Sequence, residues 1–137
     1  METIEKGVVR RMYELINLGR VDDLDEICSP DLKGHAGAGA DLSELKSSLN
    51  GFREPFPDLT ADVRHLVQED DVISTWVTYT ATHERDFAGV PASGRRVKFA
   101  AWDLVRVREG RIVEITQYCD LFTIMSQIGA LPTSAPA

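Results

Sequence analysis

Apolar residues first recur at helical spacing and then, beyond the middle of the chain, at every second position. In ETIEKGVVRRMYELINLG, the residues Ile4, Val8, Met12, Leu15 and Ile16 predict one helix, with Gly19 placed to end it. VDDLDEIC has Leu24 and Ile27 three apart and predicts a second, short helix stopped by Ser29-Pro30. LKGHAGAGAD, with three glycines among small residues, reads as a loop with room for a short strand before it. LSELKSSLNGF puts Leu42, Leu45, Leu49 and Phe52 on one stripe, a third helix with Asp41 as its N-cap.

From Thr60 onward the period is two. TADVRHLVQ, DVISTWVTYTATH, RRVKFAAWDLVRV and RIVEITQYC predict four strands rich in Val, Ile, Thr and aromatics. Asp70-Asp71 and Arg108–Gly110 are their tight turns, and DFAGVPASG is a longer connection. A short helix is expected between Leu121 and Leu131, and PTSAPA reads as a frayed end. One domain over 1–131 with a flexible tail at 132–137 follows. Helices first and an antiparallel sheet afterwards predict an α+β fold with helices on one sheet face.

The last hairpin sets a register problem. A three-residue loop, Arg108-Glu109-Gly110, pairs Val107 with Arg111. Phe99, Ala101, Asp103, Val105 and Val107 then share a face with Val113, Ile115, Gln117 and Cys119. That face is apolar except for Asp103 and Gln117. A mid-strand carboxylate there is costly unless paired, and burial would raise its pKa. Trp102, Leu104, Ile112 and Tyr118 take the opposite face, an apolar stripe that predicts a subunit interface. Trp76 and Phe99 are candidate aromatic walls, and Tyr13 and Met12 can reach a pocket from the first helix. His35 lies in the GHAG loop, His65 has outward parity, and His83 ends a strand.

Composition narrows the chemistry. A net charge of −7 argues against a nucleic-acid partner, and Arg10-Arg11 and Arg95-Arg96 are only short basic pairs. No apolar run predicts a transmembrane helix or a signal-peptide core, so the expected location is cytoplasmic with no membrane partner. Cys28 and Cys119 lack CxxC spacing, which argues against a disulfide framework or a metal site. Neither a Gly-rich phosphate loop nor a G-x-S-x-G elbow occurs.

THERDFAGVPASGRRVKF (Thr82 to Phe99) is similar to the connection TH-x-G-x-F-x-G-x-P-P-T-G-(K/R)-x-V-x-(F/W) of the SnoaL-like polyketide cyclases, a branch of the nuclear transport factor 2-like superfamily. FPDL (Phe56 to Leu59) and EGRIVE (Glu109 to Glu114) also resemble that family, and the likeness spans nearly the whole chain. It implies a cone-shaped, curved antiparallel sheet wrapped around N-terminal helices. A pocket would lie between them, no cofactor would be needed, and homodimers or tetramers would form through the outer sheet face. Cyclases of this kind close a ring of an aromatic polyketide ester by intramolecular aldol condensation.

The family's proton-moving carboxylate lies in an H-x-D or HWD segment, which here reads Ile115-Thr116-Gln117. Gln117 therefore replaces the acid, and an amide exchanges no proton in the usable pH range. Asp103 stands where SnoaL-like cyclases often carry His and the related ketosteroid isomerases carry an enolate-donating Asp. The resemblance implies an acid/base or enolate-donor role for Asp103, substrate positioning by Gln117, and a reserve base in His35. Tyr13, Met12, Phe99, Trp76, Ile115, Cys119 and His83 are the expected contacts to a hydrophobic small-molecule substrate. Two rival expectations are a non-catalytic binder or accessory protein of the same fold and a SnoaL-like hydroxylation component. The superfamily's epoxide hydrolases resemble this chain less, because it lacks their Arg two residues before Asp103 and a second acid at Gln117.

Overall fold

The computed structural model describes residues 1–131; the expected frayed end at 132–137 lies outside the described residues. Helix α1 (Ile4–Asn17) begins where the Thr3 hydroxyl accepts the Lys6 N–H at 3.1 Å. Its inner stripe is Val9, Met12, Tyr13 and Ile16, with Leu15 also buried. Ile4, expected on that stripe, lies in the first turn and stays exposed. A 3₁₀ segment (Val21–Glu26) follows, buried through Val21 and Leu24.

The next element departs from expectation. Strand β1 (Cys28–Ala36) runs through Ser29-Pro30 and into the region read as a loop. It pairs in parallel with β5 (Arg111–Cys119), at Cys28↔Ile112 and again from Lys33↔Glu114, with an irregularity between that contains Pro30. An edge strand tolerates such a proline, because the missing N–H is not needed where the ladder is broken. Helix α2 (Leu42–Arg53) is capped as expected, the Asp41 carboxylate accepting the Glu44 N–H at 2.9 Å.

Strands β2 (Thr60–Glu69), β3 (Val72–Thr82) and β4 (Arg96–Arg108) complete a five-stranded sheet in the order β1-β5-β4-β3-β2. All neighbours are antiparallel except β1 and β5, so the sheet is mixed rather than wholly antiparallel. Helices α1 and α2 cover its inner face. Asn17 ties α1 to β2 by donating to the Ala61 carbonyl at 2.9 Å and accepting the Ala61 N–H at 2.7 Å. A short helix, α3 (Leu121–Gln127), is tied to β4 by Gln127, which accepts from the Lys98 N–H and donates to the Lys98 carbonyl. Among the described residues no helix is long and apolar enough to cross a membrane.

The β4–β5 turn is tighter than predicted. Glu109 (φ 52°) and Gly110 (φ 74°) form a two-residue turn, so Arg108 pairs with Arg111 and Val107 with Ile112. A bulge at Val113 then moves the register by one, and Arg106 faces Glu114. Beyond the bulge the parity is the expected one, but Asp103 lies directly opposite Gln117 instead of two rungs away. Before the bulge the parity is reversed. Ile112 is fully buried and leaves the outer stripe, while Val113 is only half-buried. The bulge lets both Ile112 and Ile115 enter the core.

The outer face carries an aromatic ladder across three strands. Trp76 stacks on Trp102 (centroids 6.5 Å apart, rings 12° from parallel), and Trp102 stacks on Tyr118 (5.3 Å, 21°). Their exposures of 47%, 42% and 52% leave a broad apolar strip open.

At the end of β1 the chain folds back so closely that Gly34 donates its N–H to the Ala40 carbonyl at 3.0 Å. A Cβ on Gly34 would lie 2.1 Å from the Gly39 carbonyl oxygen, against backbone that cannot swing aside. Gly34→Ala should therefore destabilise the protein by more than about 2 kcal/mol in urea unfolding. A loss within ~0.5 kcal/mol would show that this turn is not a close-packed element.

Candidate active site

The inner face of the sheet holds one buried acid, and three elements converge on it. Asp103, from the middle of β4, is 5% exposed. Tyr13, on the inner stripe of α1, donates its phenolic proton to Asp103 Oδ2. The β3–β4 ladder skips Thr75 and Trp76, and the Asp103 N–H donates instead to Thr75 Oγ1 at 2.9 Å. The Thr75 hydroxyl lies 2.8 Å from the Tyr13 oxygen. Because the single Tyr13 proton goes to the carboxylate, Thr75 donates to Tyr13. A relay Thr75→Tyr13→Asp103 results, ending on Oδ2 of the carboxylate.

Burial pushes the Asp103 pKa up from 3.8 to about 6, while hydrogen bonding from Tyr13 and then Gln117 works the other way. Of these two contacts, only the Tyr13 bond meets full hydrogen-bond geometry. Tyr13 itself is held well above the usual phenol range, first by burial and then by the Asp103 charge, so it remains a donor.

Asp103 and Gln117 open onto a cavity of about 100 Å³, several times the ~10–15 Å³ that a single water needs. Phe52 and Leu49 of α2 close one side, and Tyr79, Phe99 and Cys119 of the sheet close the other. Ser48 and Arg53 also line it, but both hold backbone carbonyls. Ser48 donates to Gly37 at 2.7 Å, and Arg53 donates to Ile16 at 2.8 Å and to Leu59 at 3.4 Å. The site can thus hold an apolar ring against aromatic walls while a carboxylate and an amide meet its polar atoms. Among the described residues no group of His, Cys, Asp or Glu is arranged to hold a metal ion.

The model of the SnoaL-like polyketide cyclase family matches residues 6–128. The chain belongs to that family. Among solved structures, the SnoaL-like fold recurs in IdmH from Streptomyces antibioticus, a proposed polyketide cyclase. That protein is 30% identical, with a TM-score of 0.82 over 91% of this chain and 98% of its own. AclR from Streptomyces galilaeus, a proposed hydroxylase, is 25% identical, with a TM-score of 0.85 over 93% and 97%. A SnoaL-like protein from Jannaschia sp. CCS1 shares the fold at 23% identity, with a TM-score of 0.83 over 96% and 95%. No curated protein matches the chain in sequence.

Within this SnoaL-like frame the expected site residues separate. Asp103, Gln117, Phe99 and Cys119 line the cavity. Tyr13 stands behind Asp103, and Met12 and Ile115 are packed in the core. Trp76 has outward parity on β3 and belongs to the outer ladder, so it walls no pocket. His35 is also outside. Its register partner is Thr116, and its exposed ring meets Glu114 at 2.9 Å, away from the acid. His83 is fully buried against Phe56, where Nδ1 accepts the Ser93 N–H and holds the 83–95 connection in place.

Thr75 and Tyr79 were not among the expected site residues, although the sequence carried the signal. Both share parity with Ile73 and Val77, the buried positions of β3.

The raised Asp103 pKa has a signed effect on stability. The protonated form is the one the fold favours, so this contribution is complete below pH 3.8 and is lost as pH climbs through about 6. At pH 8 the ionised group costs on the order of 3 kcal/mol. Asp103→Asn keeps an acceptor for Tyr13 and has no charge to bury. Its stability relative to the parent should rise between pH 4.5 and pH 8, measured by urea unfolding at both values. A difference independent of pH would mean that Asp103 is not strained in its ionised form.

Proposed function

We propose that the protein catalyses proton abstraction next to a carbonyl, followed by intramolecular aldol ring closure, on an aromatic polyketide-like small molecule. One observation carries this reading. A buried carboxylate with its pKa raised to about 6 opens onto an aromatic-walled cavity, directly opposite an amide. Near neutral pH most copies of Asp103 are ionised, and burial keeps the group basic enough to accept a carbon-bound proton. In the proposed step Asp103 takes that proton, the C–H electron pair moves into an enolate, and Gln117 donates to the enolate oxygen. The enolate carbon attacks a second carbonyl of the same molecule. As the new C–C bond forms, the resulting alkoxide recovers the proton from Asp103. The likeness to IdmH supports the cyclase form of this reading. The acid has moved across the strand pair, from the family's usual place at Gln117 to Asp103.

The test uses 1-tetralone, a bicyclic aryl ketone, and follows exchange of its C2 protons in deuterated water by NMR. A panel of anthraquinone-type esters is then assayed for ring closure. Asp103→Asn should slow exchange by about 10²–10⁴-fold while binding survives. In the parent, the rate should fall as pH drops below about 6, because the base becomes protonated. Exchange unchanged in Asp103→Asn would overturn the assignment. Combining Asp103→Asn with Gln117→Asp asks whether the acid also works from the family's usual strand. The likeness to AclR carries a second reading, hydroxylation, which oxygen uptake during turnover would identify. Binding without turnover would identify a non-catalytic carrier.

We also propose that the outer ladder of Trp76, Trp102 and Tyr118 is covered by a second copy of the chain, because its stacked rings present an apolar strip to water. Light scattering at micromolar concentration should show a dimer or larger, and Trp102→Glu should give a folded monomer. A monomeric parent protein would rule the interface out.

A further inference from the structure

Two tyrosines are buried around the cavity, and they differ in one respect. The Tyr13 hydroxyl is bonded to both Asp103 and Thr75. Tyr79 is 8% exposed, yet its hydroxyl makes no hydrogen bond among the described residues. Nor is that oxygen sealed in protein. Among the described residues the sealed side-chain polar atom without a partner is His83 Nε2, whereas Tyr79 forms part of the cavity wall. Its hydroxyl therefore opens onto the cavity.

The orientation of the ring is fixed. Alternation along β3 turns Tyr79 inward, and the ring lies against Phe99 (centroids 5.4 Å apart, 13° from parallel). Phenylalanine would make the same stack, so packing alone gives no reason for the hydroxyl. Burial first, and then the Asp103 and Cys119 charges, hold the phenol above its ordinary range, so it keeps its proton. Of the other polar side chains of the wall, Ser48 and Arg53 hold backbone carbonyls, Asp103 accepts from Tyr13, Tyr118 stacks on Trp102 in the outer ladder, and the Gln117 amide stands opposite Asp103. Tyr79 adds a buried phenolic donor to the wall that has no hydrogen-bond partner among the described residues.

We infer that Tyr79 is a specificity-determining donor, whose hydroxyl selects ligands that bring a ring-ketone oxygen into the cavity. This deepens the carbonyl reading above and rests on it. A ketone replaces the water on the phenol with an equivalent acceptor. A hydrocarbon of the same shape displaces that water and leaves a buried donor unpaired, a loss of roughly tenfold or more in affinity. The hydroxyl thus discriminates by penalising the wrong ligand more than by gripping the right one.

The experiment compares 1-tetralone with tetralin, its oxygen-free analogue, by NMR titration of the parent, Tyr79→Phe and Asp103→Asn proteins. The parent should favour the ketone by about tenfold or more. Tyr79→Phe should lose that preference, through weaker ketone binding with tetralin unchanged or tighter. Its ligand-free melting temperature should stay level or rise, because the Phe99 stack remains. Asp103→Asn should keep the preference even as proton exchange stops, so a failure of the catalytic reading is distinguishable from a failure of this one. No ketone preference in the parent overturns the inference without recourse to any variant. A preference that survives Tyr79→Phe assigns it to Gln117 and overturns the inference equally, as does absence of binding by both compounds.

Discussion

A carboxylate placed inside a sheet has to find donors or stay protonated, and the Tyr13–Asp103 hydrogen bond is how this fold meets that demand. The bond fixes more than one side chain. It sets the rotation of α1 above the sheet, because Tyr13 must point at β4. It also engages Thr75, whose oxygen takes the Asp103 N–H that the β3–β4 ladder leaves unpaired. Helix, central strand and neighbouring strand are thereby joined at one polar point within an apolar layer. The donors are too few to cancel the effect of burial, so the acid keeps an affinity for protons close to neutrality. A fully satisfied carboxylate would be more stable and a poorer base.

The bulge at Val113 serves the same arrangement. Without it, the two-residue turn at Glu109-Gly110 would carry its own parity along the hairpin, and Gln117 would face away from the cavity. One extra residue brings Asp103 and Gln117 face to face and still buries Ile112 and Ile115. The amide and the buried acid thus meet on one face within the SnoaL-like architecture of sheet and helices.

Aromatic residues divide between two faces with different physics. Inside, Phe52, Phe99 and Tyr79 form cavity walls whose rings are fixed by mutual packing. Outside, Trp76, Trp102 and Tyr118 stack on one another across three strands and remain half exposed. Alternation along β3 and β4 alone decides which aromatic goes where, and Trp76 and Tyr79, three residues apart, end on opposite sides.

The α+β order, the three α-helices, strands β2 to β5 and the inward parity of Asp103 and Gln117 were all legible in the sequence. These features follow from local periodicity and capping, which act over a few residues. Strand β1 was legible only as room for a short strand before the glycine-rich loop, and its full length through Pro30 to Ala36 was not. Its small residues and Pro30 carry no strand signal, and only the open edge of β5 makes that segment extended. Likewise, no local pattern distinguishes a three-residue loop from a two-residue turn followed by a bulge. The choice falls to the core, which must bury Ile112. His35 shows the same limit, since a histidine in a glycine-rich stretch can face either way until the strand pairing is set. That Tyr13 reaches Asp103, ninety residues away in sequence, is a property of the packed helix and sheet together. Sequence periodicity selected the faces; tertiary packing decided which polar groups on those faces meet, because hydrogen-bond partners distant in the chain are chosen only when the layers close.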